Sequence, residues 1–272
     1  MIDSSTKSLP IGVFDSGVGG LTVLKAVHEA LRHEDLIYLG DTARLPYGTK
    51  SPVSISRYAC QATQHLQQAG IKLLIVACNT ASAVALDDLR EQMSPLPVIG
   101  VVVPGATAAV EARPGGSHLV LATETTVRLG AYRQAIQALD PEATVREHAC
   151  EMLVALAEEG WTGGDIATSI VRRYLDDAGG KPDSVILGCT HFPLLREPIA
   201  AVVEDGTAIV DSASTTAAVT AKTLAELDLA NPGDKPGTLT MWATDGATRF
   251  ARVGGQFLGR ELDPSDVAVV DL

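Results

Sequence analysis

Leu73-Leu74-Ile75-Val76-Ala77-Cys78-Asn79-Thr80 is the stretch on which the fold turns. Its first five residues form an unbroken apolar run with β-branched content, which reads as a strand buried on both faces. Such strands belong to parallel sheets covered by helices on either side. In these sheets ligand sites form beyond the carboxyl ends of the strands. A Cys, an Asn and a Thr delivered to that end, at the start of a helical pattern, therefore form a candidate site.

Working outward, the chain alternates short apolar runs with helical periodicity. Ile11-Gly12-Val13-Phe14 ends at Asp15-Ser16-Gly17-Val18-Gly19-Gly20, and Leu21, Leu24, Val27 and Leu31 then share one helical face. Leu36-Ile37-Tyr38-Leu39 ends at Gly40-Asp41 and a loop through Pro46-Tyr47-Gly48. A helix is expected from about Pro52 to Gln68, stopped at Gly70. Val98–Val102 reads as a further strand.

The pattern then restarts. Leu119-Val120-Leu121-Ala122 runs into Thr123-Glu124-Thr125-Thr126, with a helix expected through Tyr132. After two helical segments, Ser184–Gly188 delivers Cys189-Thr190-His191, and Ala208-Ile209-Val210 ends at Asp211-Ser212. Asn231–Gly237, rich in Pro and Gly, reads as a surface turn before a last strand–helix–strand segment. Ser16 precedes Cys78 by 62 residues and Thr123 precedes Cys189 by 66. Each half thus carries a hydroxyl loop after its first strand and a Cys-bearing turn after a later buried one. The expected fold class is α/β, two similar domains with mainly parallel sheets related by a pseudo-twofold, and a site in the cleft between them.

Composition narrows the function. With 272 residues and 46% apolar content the chain has ample material for one or two cores and is not disordered. The apolar stretch Ile71–Cys78 is interrupted by Lys72 and falls far short of the roughly 18 residues a membrane span needs. The segment Met1–Ser8 lacks a basic stretch followed by an apolar one, so no signal peptide is expected and the protein is expected to be cytoplasmic. A net charge of −12 offers no basic patch for nucleic acid. It also means that an acidic substrate would need a local site of backbone N–H groups and hydroxyls.

The four cysteines, Cys60, Cys78, Cys150 and Cys189, have neither Cys-x-x-Cys nor zinc-ribbon spacing. Cys60 and Cys150 read as small buried hydrophobes. Cys189-x-His191 is too short to hold a metal alone, and Gly17-Val18-Gly19-Gly20 has Thr22 where a dinucleotide-binding motif wants its third glycine. Cys78 and Cys189 both fall at strand-to-helix turns, where backbone N–H groups and the helix dipole are expected to favour a thiolate. Two thiols on opposite sides of a carbon could exchange a proton and invert its configuration. Ser16, Thr80, Thr190 and the Gly-rich turns could bind carboxylates, Asp15 and Asn79 could take an ammonium, and His191 could tune Cys189. From the residues alone, a Cys hydrolase or a binding protein with two structural cysteines stays open beside this two-base reading.

Four ordered segments bear on that choice: Asp15–Val23, Tyr38–Gly48, Ala77–Ser82 and Gly188–Leu195, followed by Asp211-Ser212-Ala213 and Thr244–Phe250. Together they resemble the signature segments of the glutamate racemase family, over nearly the whole chain. The resemblance implies interconversion of L- and D-glutamate without cofactor or metal, supplying D-glutamate for bacterial peptidoglycan. It implies that Cys78 and Cys189 are the acid–base thiols, Cys78 acting on D-glutamate and Cys189 on L-glutamate, assisted by Asp15 and His191. It places Asp15, Ser16, Tyr47, Gly48, Asn79, Thr80, Thr190 and His191 at the substrate. The family fold implies a first domain of residues 1–102 with 212–272, a second of residues 103–211, and a homodimer.

This sequence departs from the family pattern at Ala122, Leu129, Val103 and Cys150-Glu151-Met152, which puts the pocket wall and the dimer contacts in doubt, while Glu158 fits an acidic position. An aspartate racemase of the same superfamily would share both cysteines. A non-catalytic module would keep the fold without needing them. Some members of this family are reported to restrain DNA gyrase; the acidic balance permits such a protein partner, but no residue argues for it.

Overall fold

The structure, a computed structural model, describes residues 4–272. Met1–Asp3, the beginning of the N-terminal stretch read above and of the expected first domain, lie outside the described residues. Ten strands are described: β1 Ile11–Asp15, β2 Leu36–Gly40, β3 Leu73–Val76, β4 Val98–Gly100, β5 Ser117–Ala122, β6 Thr144–Ala149, β7 Ser184–Gly188, β8 Ala208–Asp211, β9 Leu239–Ala243 and β10 Val267–Val269. They form two sheets with every strand pair parallel, a six-stranded one ordered β10-β9-β2-β1-β3-β4 and a four-stranded one ordered β6-β5-β7-β8.

The duplication expected from spacing is present in the topology. Within each repeat the strands lie in the order second, first, third, fourth: β2-β1-β3-β4 and β6-β5-β7-β8. The first sheet is widened only at its β2 edge, by β9 and β10 from the C-terminal segment. Burial explains why the central strands read as continuous apolar runs. Leu73 and Ile75 enter one core while Leu74 and Val76 enter the core on the opposite face. Leu119, Leu121, Val185 and Leu187 face one layer of the second sheet, and Val120, Ala122 and Ile186 face the other. Successive side chains point to opposite faces, so a sheet covered on both sides needs apolar residues at every position.

Three local expectations are corrected. The strand expected over Val98–Val102 ends at Gly100, and a helix, Val102–Ala112, takes over. Pro104 lies in the first turn of that helix, where its missing N–H costs no hydrogen bond. The helix expected through Tyr132 is two helices, Glu124–Leu129 and Ala131–Leu139, broken at Gly130, whose φ of +62° suits glycine. Between Leu139 and Ser184 the sequence reading passed over β6. That strand is an exposed-to-half-buried edge carrying Arg146, Glu147 and His148, so it lacks the apolar run that marks the others.

At the amino ends of β2 and β3, opposite the site, Lys72 and Glu34 form a buried ion pair. Lys72 also donates to the Lys7 carbonyl, and Glu34 accepts from the Asn231 N–H at 2.8 Å, which ties the N-terminal segment and the loop before β9 to the sheet. Removing one partner strands a buried charge, so Lys72→Met is expected to cost about 3–5 kcal/mol of stability. Lys72→Met combined with Glu34→Leu should recover most of it. Urea unfolding of the two variants checks this, and a loss below about 1 kcal/mol in the single variant would mean that the pair is not holding this end together.

Candidate active site

Because β1 neighbours β3 and β5 neighbours β7, each sheet sets a hydroxyl turn beside a thiol turn at its carboxyl edge. The strand order reverses at this point in both sheets, and crevices of α/β folds open there. The two edges face one cavity of about 300 Å³, lined by both Cys78 and Cys189. Ser16, Tyr47, Gly48, Asn79, Thr80, Thr190 and His191 also line it, as does Thr123. All four cysteines are free. Cys60, within the helix Pro52–Gln68, and buried Cys150 lie off the wall. The departures Ala122, Leu129 and Val103 are off it too, whereas Glu151 is on it.

Cys78 is the N-cap of the helix Asn79–Met93; its sulfur accepts the Ala81 N–H at 3.4 Å, and its thiol donates to Ser16 Oγ at 3.4 Å. The expectation that the helix end would favour the thiolate here is overturned. Burial first, and the nearby Asp15 charge second, push the Cys78 thiol up to about 12, outweighing the bonds from Ser16 and Ala81. Asp15 is not on the cavity wall. It is buried beneath the Ser16 turn, where Oδ2 accepts the Gly17 N–H at 2.9 Å and Oδ1 has no hydrogen-bond partner. Burial raises its pKa, against the pull of His191 and of the backbone N–H groups of residues 16, 17 and 20, which makes it a stronger base than a surface carboxylate.

On the opposite wall, Cys189 Sγ lies 3.7 Å from His191 Nδ1, and His191 Nε2 lies 3.1 Å from Glu158 Oε1. Burial opposes charge on this imidazole, but its bonds to Cys189 and Glu158 and their charges carry its pKa up to about 10. The hydrogen bond with His191 in turn holds Glu158 below the usual carboxylate range, helped by Arg249. His191 is thus a protonated donor at neutral pH, placed to steady charge on the Cys189 sulfur during proton transfer.

Thr80 and Thr123 bring hydroxyls to the cavity wall: Thr80 Oγ1 is 2.9 Å from Thr123 Oγ1, and Thr123 is 3.1 Å from Thr126. The Tyr132 hydroxyl donates to Asn79 Oδ1 at 2.7 Å, leaving Asn79 Nδ2 buried without a partner. Tyr132 thus engages the amide oxygen, the atom of Asn79 that could have accepted from an ammonium. The sequence reading did not assign Thr123, Glu151 or the Val154-Ala155 wall to the site. Thr123 had a usable signal, since it holds in the second repeat the place of Ser16 in the first.

Equivalent turns of two repeated sheets bring one thiol each to a shared cavity, an arrangement that suits an acid–base enzyme. The model of the Asp/Glu/Hydantoin racemase family matches residues 11–220, and the chain belongs to that family, among its glutamate racemases. It is 46% identical over 265 residues to the glutamate racemase of Geobacter metallireducens, covering 96% of each chain. It superposes on the crystal structure of Francisella tularensis glutamate racemase in complex with D-glutamate with a TM-score of 0.90, at 34% identity, covering 97% of this chain and 98% of that one. For the Thermus thermophilus enzyme in complex with β-chloro-D-alanine the TM-score is 0.88, at 40% identity and 98% coverage of both chains.

The His191 shift fixes a pH dependence. Its folded pKa is about 10 against 6.5 for a free imidazole, so the stability it contributes is complete below about pH 6.5 and is lost as pH rises through about 10. Urea unfolding of the wild type and of His191→Asn should therefore differ most at and below about pH 6.5, and the difference should shrink as pH rises and vanish towards pH 10. A constant offset across that range would show that His191 is not held protonated.

Proposed function

We propose that this protein interconverts L- and D-glutamate by two-base proton transfer, with no organic cofactor and no metal. The observation that carries the proposal is the pair of thiols on one cavity whose wall also offers the hydroxyls of Ser16, Thr80, Thr123 and Thr190, the Asn79 amide and the His191 imidazole. Asn79 Nδ2, Thr80, Thr123, Thr190 and the Ser16 turn serve as neutral donors to the substrate's carboxylates, alongside the backbone N–H groups of Tyr47 and Gly48, the Tyr47 hydroxyl being engaged by Asp41. Asp15 is the anion nearest the Cys78 side. A thiolate on one wall takes the α-hydrogen as a proton; the electron pair delocalises into the adjacent carboxyl group, and the thiol opposite returns a proton to the other face. Cys78 acts on D-glutamate, with Asp15 accepting the proton that its own high pKa would otherwise retain. Cys189 acts on L-glutamate, with His191 as its partner. The product supplies D-glutamate for peptidoglycan in the cytoplasm.

The working unit we propose comprises residues 1–102 with 212–272 as one domain and residues 103–211 as the other, assembled as a homodimer. The division follows the two sheets, whose strands fall within residues 11–100 with 239–269 and within residues 117–211. Among the described residues no helix is long and apolar enough to cross a membrane.

Racemisation is expected in chelator-containing buffer without added pyridoxal phosphate. Serine keeps the shape of cysteine but is a far weaker acid, so Cys78→Ser and Cys189→Ser should each lower racemisation by at least about 10²-fold. Cys60→Ser and Cys150→Ser should not. A substrate analogue that expels a β-leaving group after deprotonation needs only one base. Cys78→Ser should still eliminate from the L-isomer and Cys189→Ser from the D-isomer; the same isomer preference in both variants would overturn the two-sided mechanism.

A further inference from the structure

Arg249 lies on the helix Ala247–Leu258, in the C-terminal segment that packs on the six-stranded sheet, and no step above uses it. Its side chain is about half exposed, yet its Nη2 reaches across the cleft to Glu158 Oε2 at 2.8 Å. Glu158 ends the helix Glu151–Glu158 of the four-stranded unit. Its two oxygens are divided, Oε2 to Arg249 and Oε1 to His191 at 3.1 Å, and His191 Nδ1 stands 3.7 Å from Cys189 Sγ. The geometry points to Arg249 as a positioning residue that fixes the Glu158 carboxylate, and through it His191, for proton transfer at Cys189. This rests on the two-thiol reading above.

Three features give the arrangement content beyond a surface ion pair. An unanchored Glu158 could turn either oxygen away from the imidazole, whereas a carboxylate held at one oxygen presents the other in a fixed direction. The remaining neighbours of His191 cannot replace that hold. They are the edge of the Phe257 ring, the Thr190 hydroxyl at 3.5 Å, the Cys189 sulfur it serves, and the Asp15 charge on the Cys78 side. The chain from Arg249 to Cys189 also joins the two sheet units, and Cys78 has no counterpart to this arm among the described residues.

Both directions of racemisation must lose kcat/KM equally, because enantiomers are equal in energy, so the test uses the one-base elimination reaction. Arg249→Ala is placed in the Cys78→Ser background, which reports Cys189 with the L-analogue, and in the Cys189→Ser background, which reports Cys78 with the D-analogue. The expected result is a loss of about five- to tenfold in L-elimination, as for a charge-assisted bond in partial contact with water, with less than about twofold change in D-elimination. Arg249→Lys should restore most of the L-rate, and Arg252→Ala, exposed on the same helix, should leave both rates unchanged. Equal losses on both sides would make Arg249 a general clamp of the cleft, and no loss would make it a surface pair; either result overturns the inference. If neither parent background eliminates at all, the two-thiol reading itself fails, and this inference with it.

Discussion

The constraint on which the site depends is the pairing of the first strand with the third in each repeat. Val13 sits opposite Ile75 in one sheet and Val120 opposite Ile186 in the other. That register brings the Ser16 turn beside Cys78 and the Thr123 turn beside Cys189. Neither neighbourhood exists in the sequence, where the partners lie more than sixty residues apart. The core enforces the register because both faces of each sheet are buried, and a slip of one residue would drive every side chain into the wrong layer. Close approach then brings the two halves together. A Cβ on Gly19 would stand within 2.3 Å of Thr190 Oγ1 and 2.5 Å of His191 Nδ1, so only glycine lets the first repeat come this near the second.

Electrostatics divides the labour between the two walls. The protein carries a net charge of −12, and among the described residues no Lys or Arg lines the cavity, so apart from His191 the groups that can meet an anionic substrate are hydroxyls and amides. Such neutral donors bind a carboxylate through oriented N–H and O–H dipoles. The thiols then differ in their support. Cys78 is held protonated by burial and by Asp15, a carboxylate that burial has made more basic. Cys189 faces a protonated imidazole backed by Glu158. One reaction run in two directions is thus served by two unlike acid–base pairs.

Much of this was legible in the sequence because buried parallel strands announce themselves. Leu73–Ala77 and Ser184–Gly188 are apolar at nearly every position, and each is followed at once by a Cys and then, directly or one residue later, a Thr. Strand β6 was not legible, since an edge strand bearing Arg146, Glu147 and His148 lacks that pattern. The direction of the Cys78 shift was not legible either. A helix N-terminus is visible in sequence, but the depth at which it is buried is not, and depth decided the sign. Asn79 shows the same limit: the partner of its amide oxygen, Tyr132, lies 53 residues away. Arg249 and Glu158 are 91 residues apart and meet only across the cleft, a relation no local pattern encodes.

The central claim is that two opposed thiols share one α-carbon, and it is tested most directly by where deuterium first enters. Purified protein is given L-glutamate in D₂O and stopped at low conversion, and each enantiomer is recovered and examined at the α-carbon; D-glutamate is then run the same way. The account predicts deuterium in the product enantiomer, delivered by the thiol on the far face, while the recovered substrate keeps its original hydrogen in both directions. Deuterium entering recovered substrate as fast as product would mean that one base works both faces, and the two-walled site described here would not be the catalytic device.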